Sequence, residues 1–177
     1  MKTTKLENNI MVDLETMGQS SQAAIIAIGA VRFDRDGLHE EFYRVIDLQS
    51  SIDAGAALDG STITWWLEQS AKARKAICRR GDPLETALVD FSQFVQQDTP
   101  VQLWGNGAAF DNVILANAYR SSAIGLPWFY YHNRCYRTVK NLHPEITLQR
   151  TGTHHNALDD ARNQAQHLID IFKQKYN

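Results

Sequence analysis

Apolar residues fall along this chain in short blocks whose period changes from strand-like to helix-like. Asn9 to Leu14 reads as a strand, apolar through Ile10, Met11 and Val12. Ala23 to Phe33 is rich in Ile and Val, and the turn-like Asp34-Arg35-Asp36-Gly37 closes it. Glu40 to Ile46, with Phe42 and Val45 among its apolar members, reads as a third strand. Short connections between the three predict an antiparallel meander. The pattern then turns helical. Ser61 to Ala76 mixes Trp65, Trp66 and Leu67 with polar residues. Pro83 precedes a helix over Leu84 to Gln96, where Leu84, Leu88, Phe91, Phe94 and Val95 recur at helical spacing. Val101 to Trp104 is a short strand, and Asp111 to Ser122 a helix stopped by Gly125 and Pro127. Trp128 to Tyr131 reads as the last strand. Ala157 to Phe172 reads as a terminal helix with Ala157, Ala161, Ala165, Leu168 and Phe172 on one face. The expectation is an α/β fold: a mixed five-stranded sheet, made of a three-strand meander plus two further strands, flanked by helices.

Composition narrows the class. The 177 residues suit one domain, residues 1–177, with a continuous core, and no repeat or Pro/Gly-rich linker divides them. A hydrophobic fraction of 44% and a charged fraction of 21% are ordinary for a soluble protein. With a net charge of −2, bulk charge attracts neither nucleic acid nor an anionic membrane, so a polyanion must be met by local basic patches or bound metal. Arg74, Lys75, Arg79 and Arg80 form one basic cluster, and Arg134, Arg137 and Lys140 another. Cys78 and Cys135 make no disulfide framework or zinc spacing and read as reduced, core or half-buried thiols. Met1 to Asn9 is polar with no signal-peptide pattern, and Ala23 to Val31 is too short to span a bilayer. These features predict a cytoplasmic protein without membrane partners.

Several acidic residues stand where strands end or helices begin. Asp13 and Glu15 are two apart at the end of the first strand, so both point to one face. An isolated pair of this kind is most often a solvated strand end. Asp111 follows the Gly105-Asn106-Gly107 turn, where an N-cap is the plain alternative. Dinucleotide binding is the other alternative for this strand–turn–helix. It fails because Phe110 fills the third small position and no acid stands at the ribose position downstream. His155 and Asp160 flank the start of the last helix; His154 and Asp159 beside them make each assignment ambiguous, and helical periodicity does not choose between the two aspartates. Acids crowded together repel one another unless cations neutralise them.

Three segments carry a family resemblance. Asp13-Leu14-Glu15-Thr16-Met17-Gly18 resembles the first motif of the DEDDh 3′–5′ exonucleases, whose fold is related to ribonuclease H. Asn106-Gly107-Ala108-Ala109-Phe110-Asp111 resembles the second, and His155-Asn156-Ala157-Leu158-Asp159-Asp160 the third. They occur in the family's order across nearly the whole chain. Within the family, Thr62-Ile63-Thr64-Trp65-Trp66 with Glu68-Gln69-Ser70 resembles the compact exodeoxyribonuclease VIII-like and mycobacterial exoribonuclease-like group. Met17 departs from the commoner threonine, and the helical insert after the third strand departs from the polymerase-proofreading type.

The resemblance implies a ribonuclease H-like sheet and phosphodiester hydrolysis at the 3′ ends of single-stranded nucleic acid, giving nucleoside 5′-monophosphates. It assigns two Mg²⁺ or Mn²⁺ ions to Asp13, Glu15, Asp111 and Asp160, with oxygen donors suited to hard cations. It makes His155 the general base. Met17, Gly18, Trp66, Asn106 and Phe110 become substrate-contact candidates, Trp65 and Trp66 as stacking platforms if they are not core. It also implies a homodimer, and leaves the choice of RNA or DNA open. The rival readings are an oligonucleotide-specific hydrolase on the same site and a catalytically silent nucleic-acid-binding module.

Overall fold

The computed structural model describes residues 8–78, 80–95 and 100–176. Residues 1–7, Arg79 and the Gln96 end of the predicted helix therefore lie outside the described residues. Strands β1 (Asn9–Thr16), β2 (Ile25–Phe33) and β3 (Leu38–Val45) form the expected meander. Strand β4 (Gln102–Gly105) runs parallel to β1, and β5 (Asn133–Cys135) parallel to β4. The sheet order is β3-β2-β1-β4-β5. Parallel strands must be joined by crossovers, and helices supply them.

Alternation along β1 explains the two layers. Ile10, Val12 and Leu14 point to one face and meet Leu88 and Phe91 of α4 (Leu84–Val95) and Ile114 and Leu115 of α5 (Asp111–Ser121). Met11 points to the other face, toward Ala161, Ala165, Leu168 and Ile169 of α7 (Ala157–Lys175). Each fully buried Leu, Ile or Phe contributes about 1.5–3 kcal/mol, so both faces are firmly specified. A one-residue slip of β1 would exchange them. The same alternation sends Asp13 and Glu15 to the α7 face.

Four local features differ from the sequence expectation. The last strand is Asn133–Cys135, and Trp128 to Tyr131 is not one; Tyr130–His132 is a single 3-10 turn. Trp128 leaves the sheet path because its ring is buried against Phe91 and Tyr119. Its indole N–H and the Asn112 amide both donate to Asn133 Oδ1, at 3.0 Å each, and pin Asn133 beside Leu103. The single helix expected over Ser61 to Ala76 is two, α2 (Gly60–Glu68) and α3 (Ala71–Ile77), since Ser70 caps the second by accepting from the Ala73 amide. Two short helices had no sequence signal: α1 (Leu48–Asp53), capped by Asp47, and α6 (Tyr136–Leu142). Cys135 is half-buried as expected, but Cys78 is exposed rather than in the core. No helix among the described residues is long and apolar enough to cross a membrane.

Two glycines let acid-bearing helices approach the sheet. A Cβ on Gly29 of β2 would lie 2.2 Å from the Ala157 carbonyl carbon and the Leu158 amide nitrogen. A Cβ on Gly105 of β4 would lie 2.3 Å from Asn112 Oδ1 and 3.0 Å from Asp111 Cβ. The first turns of α7 and α5 therefore rest directly on strand backbone, on either side of the end of β1.

Candidate active site

The carboxyl end of β1 is where the two approaches converge. Asp13, Glu15 and Asp160 each place a carboxylate oxygen within 4.8 Å of the others. Asp111 enters the same cleft from α5. It is not the N-cap that its position allowed: Phe110 precedes the helix, and Asp111 Oδ1 accepts the Leu14 amide of β1 at 3.2 Å. Gln164, one helical turn beyond Asp160, donates to Asp13 Oδ1 at 2.7 Å. Arg150 donates to Asp160 Oδ1 at 2.7 Å, and the His155 amide donates to Oδ2 at 3.0 Å. Glu15 Oε1 is buried with no hydrogen-bond partner among the described residues.

The electrostatics follow from burial and crowding. Burial, then the neighbouring Asp111, Glu15 and Asp160 charges, holds the Asp13 carboxyl well above the usual carboxylate range. Burial, then Asp160 and Asp111, pushes Glu15 up to about 8. Burial raises Asp111 to about 7 against the hydrogen bonds it accepts from backbone amides, Leu14 first. Such a cluster ionises fully only when positive charge enters it. All-oxygen donors, one with an unmet lone pair in the interior, fit a hard divalent cation. The four acids fit Mg²⁺ or Mn²⁺.

The loop carrying His155 is stitched to α7. Asn163 Oδ1 accepts the Thr151 amide at 3.0 Å, and its Nδ2 donates to the Thr151 carbonyl at 2.9 Å. Asp159 Oδ2 accepts the Thr153 amide at 2.8 Å. Buried His167 bonds the Ile146 carbonyl and the Tyr136 hydroxyl, both at 2.7 Å. These ties separate the two adjacent aspartates, while both histidines line the cleft. Asp159 faces the loop and Asp160 faces the acids; His154 is exposed at the rim while His155 is half-buried. His155 has a left-handed backbone at φ 60, and its ring meets the edge of Trp65 at a centroid distance of 4.8 Å. Burial and the adjacent His154 lower the His155 pKa, against the nearby Asp160 charge, which favours the neutral imidazole less than burial does.

The substrate-contact candidates divide. Asn106 and Phe110 line the acid cleft, with Arg137 and Arg150. Phe110 and Glu15 also line an adjoining cleft with Gly18, Trp65 and Trp66. Trp66 is buried with its indole N–H donating to the Thr16 carbonyl at 3.0 Å, whereas Trp65 is exposed. Met17 packs beside Trp66 in a small satellite core and lines neither cleft. Sequence reasoning missed Gln164 and Arg150. The i+4 spacing from Asp160 could have found Gln164; Arg150 lies in an aperiodic loop and had no signal. Of the basic clusters, Arg137 reaches the site, where it donates to the Asn106 carbonyl at 2.6 Å.

This sheet, with four acids and a histidine gathered at the end of β1, has the fold of solved nuclease domains of the DEDDh type. The chain belongs to the 3′-5′ exoribonuclease Rv2179c-like domain family, whose model matches residues 8–172. It is 28% identical over 127 residues to an exodeoxyribonuclease of Enterobacteria phage T4, covering 63% of this chain and 56% of that relative's length. In fold it is similar to the nuclease domain of 3′hExo, a DEDDh family member bound to rAMP. That likeness has a TM-score of 0.64 at 14% identity and covers 95% of this chain and 92% of that one. Pop2p of S. pombe in its Mg²⁺- and Mn²⁺-bound form is similar at a TM-score of 0.56 and 15% identity, over 95% and 84% of the two chains.

Proposed function

We propose that this protein removes nucleotides one at a time from the 3′ ends of single-stranded nucleic acid, releasing nucleoside 5′-monophosphates. The observation that carries this reading is the convergence of Asp13, Glu15 and Asp160 within 4.8 Å, with Glu15 Oε1 buried and unbonded. Such a set is unfavourable as a structural feature and favourable as a cation cage. Asp13, Glu15, Asp111 and Asp160 would hold two Mg²⁺ or Mn²⁺ ions, which when bound lower the barrier by stabilising charge on the attacking and leaving oxygens. The metal-bound form of Pop2p supports the choice of ions.

The chain's own groups supply the rest. Gln164 fixes Asp13, and the Leu14 amide fixes Asp111, so both carboxylates are oriented before a ligand arrives. His155, hemmed by Trp65 and shifted toward its neutral form by burial, is the general base that takes the proton from the attacking water. Phe110 stands between the two clefts and stacks on the terminal base; Gly18 and Trp65 line the space for its sugar and base. Arg137 at the mouth meets backbone phosphate. The rAMP held by the nuclease domain of 3′hExo supports a mononucleotide product.

The test is product analysis. Single-stranded RNA and DNA digested with Mg²⁺ or Mn²⁺ should yield 5′-mononucleotides by chromatography, with none formed in excess chelator. Digestion that proceeds unchanged in chelator, or yields 3′-monophosphates, would refute this mechanism.

A further inference from the structure

We propose that His154, His155 and Asp160 form a second metal site, selective for a borderline-soft transition ion such as Zn²⁺, and that filling it shuts the hydrolytic site off. One donor atom from each of the three lies within 4.8 Å of the others. The set differs in kind from the carboxylate cage. Two imidazoles and one carboxylate suit Zn²⁺ and its neighbours, whereas all-oxygen sets suit Mg²⁺.

The geometry is close to what such an ion needs. Zinc takes His nitrogen at ~2.0–2.1 Å and carboxylate oxygen at ~2.0–2.2 Å, which sets tetrahedral donors roughly 3.4 Å apart. The three donors therefore have at most about 1.4 Å to close. His154 is exposed and can turn without disturbing the core. Its ring lies 3.8 Å from that of His155, centroid to centroid, inclined by 34°. Ring planes inclined to each other intersect, so a modest turn of His154 can bring both in-plane lone pairs onto one ion. Asp160 already receives a cation: the half-exposed Arg150 guanidinium sits on Oδ1 and can swing away. Three protein ligands leave one position open, the arrangement of an exchangeable site rather than a structural one.

The consequence rests on the function proposed above. An ion held here occupies the imidazole of His155 and the carboxylate of Asp160, removing a base and an acid from hydrolysis together. His154 is the one ligand that the hydrolytic site does not use, so it separates the two sites. Binding itself requires no nucleic acid.

The experiment titrates metal-free protein with Zn²⁺ against a chromogenic zinc chelator, comparing the native chain with His154→Ala, His154→Gln and Asp13→Ala, each checked for folding by circular dichroism. Both His154 variants should bind Zn²⁺ about tenfold more weakly or worse, and Asp13→Ala should bind as the native chain does. In excess Mg²⁺, Zn²⁺ should stop cleavage by the native chain at about tenfold lower concentration than by His154→Ala. Equal Zn²⁺ affinity in the native chain and both His154 variants would overturn the proposal. So would a loss confined to Asp13→Ala, which would put the zinc in the carboxylate cage. A native chain with no cleavage in Mg²⁺ alone would instead refute the exonuclease reading and leave the binding comparison standing.

Discussion

Asp159 and Asp160 are adjacent, chemically identical and committed to different tasks. Asp160 accepts Arg150 and the His155 amide beside Asp13 and Glu15, while Asp159 accepts Thr153 and Arg162 and holds the loop. Asp160→Asn should therefore abolish hydrolysis with little change in folding. Asp159→Asn should retain hydrolysis and lower stability by about 1–2 kcal/mol, since it loses charge-assisted bonds at a half-exposed position. Urea unfolding and turnover measured on both variants check this pair. The reverse pattern would exchange their assignments. His155→Ala should lower kcat by about 10²–10⁴ with a smaller effect on KM, the range for a lost general base. Steady-state kinetics at saturating Mg²⁺ measure it, and an unchanged kcat would remove His155 from the chemistry.

At the scale of elements, helix placement depends on strand glycines. Gly29→Val would drive a side chain into the Ala157–Leu158 backbone, which cannot yield as a side-chain tip would. It should destabilise the fold by about 3 kcal/mol or more and reduce activity by tilting Asp160 away from Asp13. Thermal unfolding and turnover together test this, and a variant of native stability would show that α7 does not bear on β2 there. The elements themselves were largely legible. The meander, β4, α5 and α7 follow from apolar periodicity, because each has one face that must be buried. The last strand was misplaced because Phe129, Tyr130 and Tyr131 have strand-like composition, yet two asparagine-centred hydrogen bonds decide the pairing at Asn133. The break between α2 and α3 turns on a serine cap within an otherwise helical pattern. The five site residues could be assigned only by resemblance. Periodicity could not choose Asp160 over Asp159, since that choice depends on where a loop without periodicity returns. Gln164 and Arg150 act through contacts of 2.7 Å that no spacing rule encodes with certainty.

At the scale of the whole molecule, the acid cluster sets how stability depends on pH and metal. Glu15 titrates at about 8 in the folded chain against an ordinary 4.5, and Asp111 at about 7 against 3.8. Between those values the folded state binds more protons than the unfolded one, so stability falls as pH rises. The metal-free protein should therefore melt at a lower temperature at pH 8.5 than at pH 5.5, by several degrees. Divalent ions should reverse the sign, because on the proposed function they would bind the ionised cluster and stabilise the fold through that binding. Melting scans with and without Mn²⁺ across this range check both limbs. A metal-free protein that gains stability toward pH 8.5 would contradict the crowded-carboxylate account. The proposed exonuclease activity rests on the same cluster, and its most direct test is on a strand labelled at the 5′ end. Native protein, Asp13→Ala and Asp159→Asn are each incubated with labelled single-stranded RNA and DNA in Mg²⁺ or Mn²⁺. The native chain and Asp159→Asn should give a ladder shortening from the 3′ end, and Asp13→Ala should give none. A folded Asp13→Ala that produces the ladder at the native rate would show that the acids at the end of β1 are not the catalytic site.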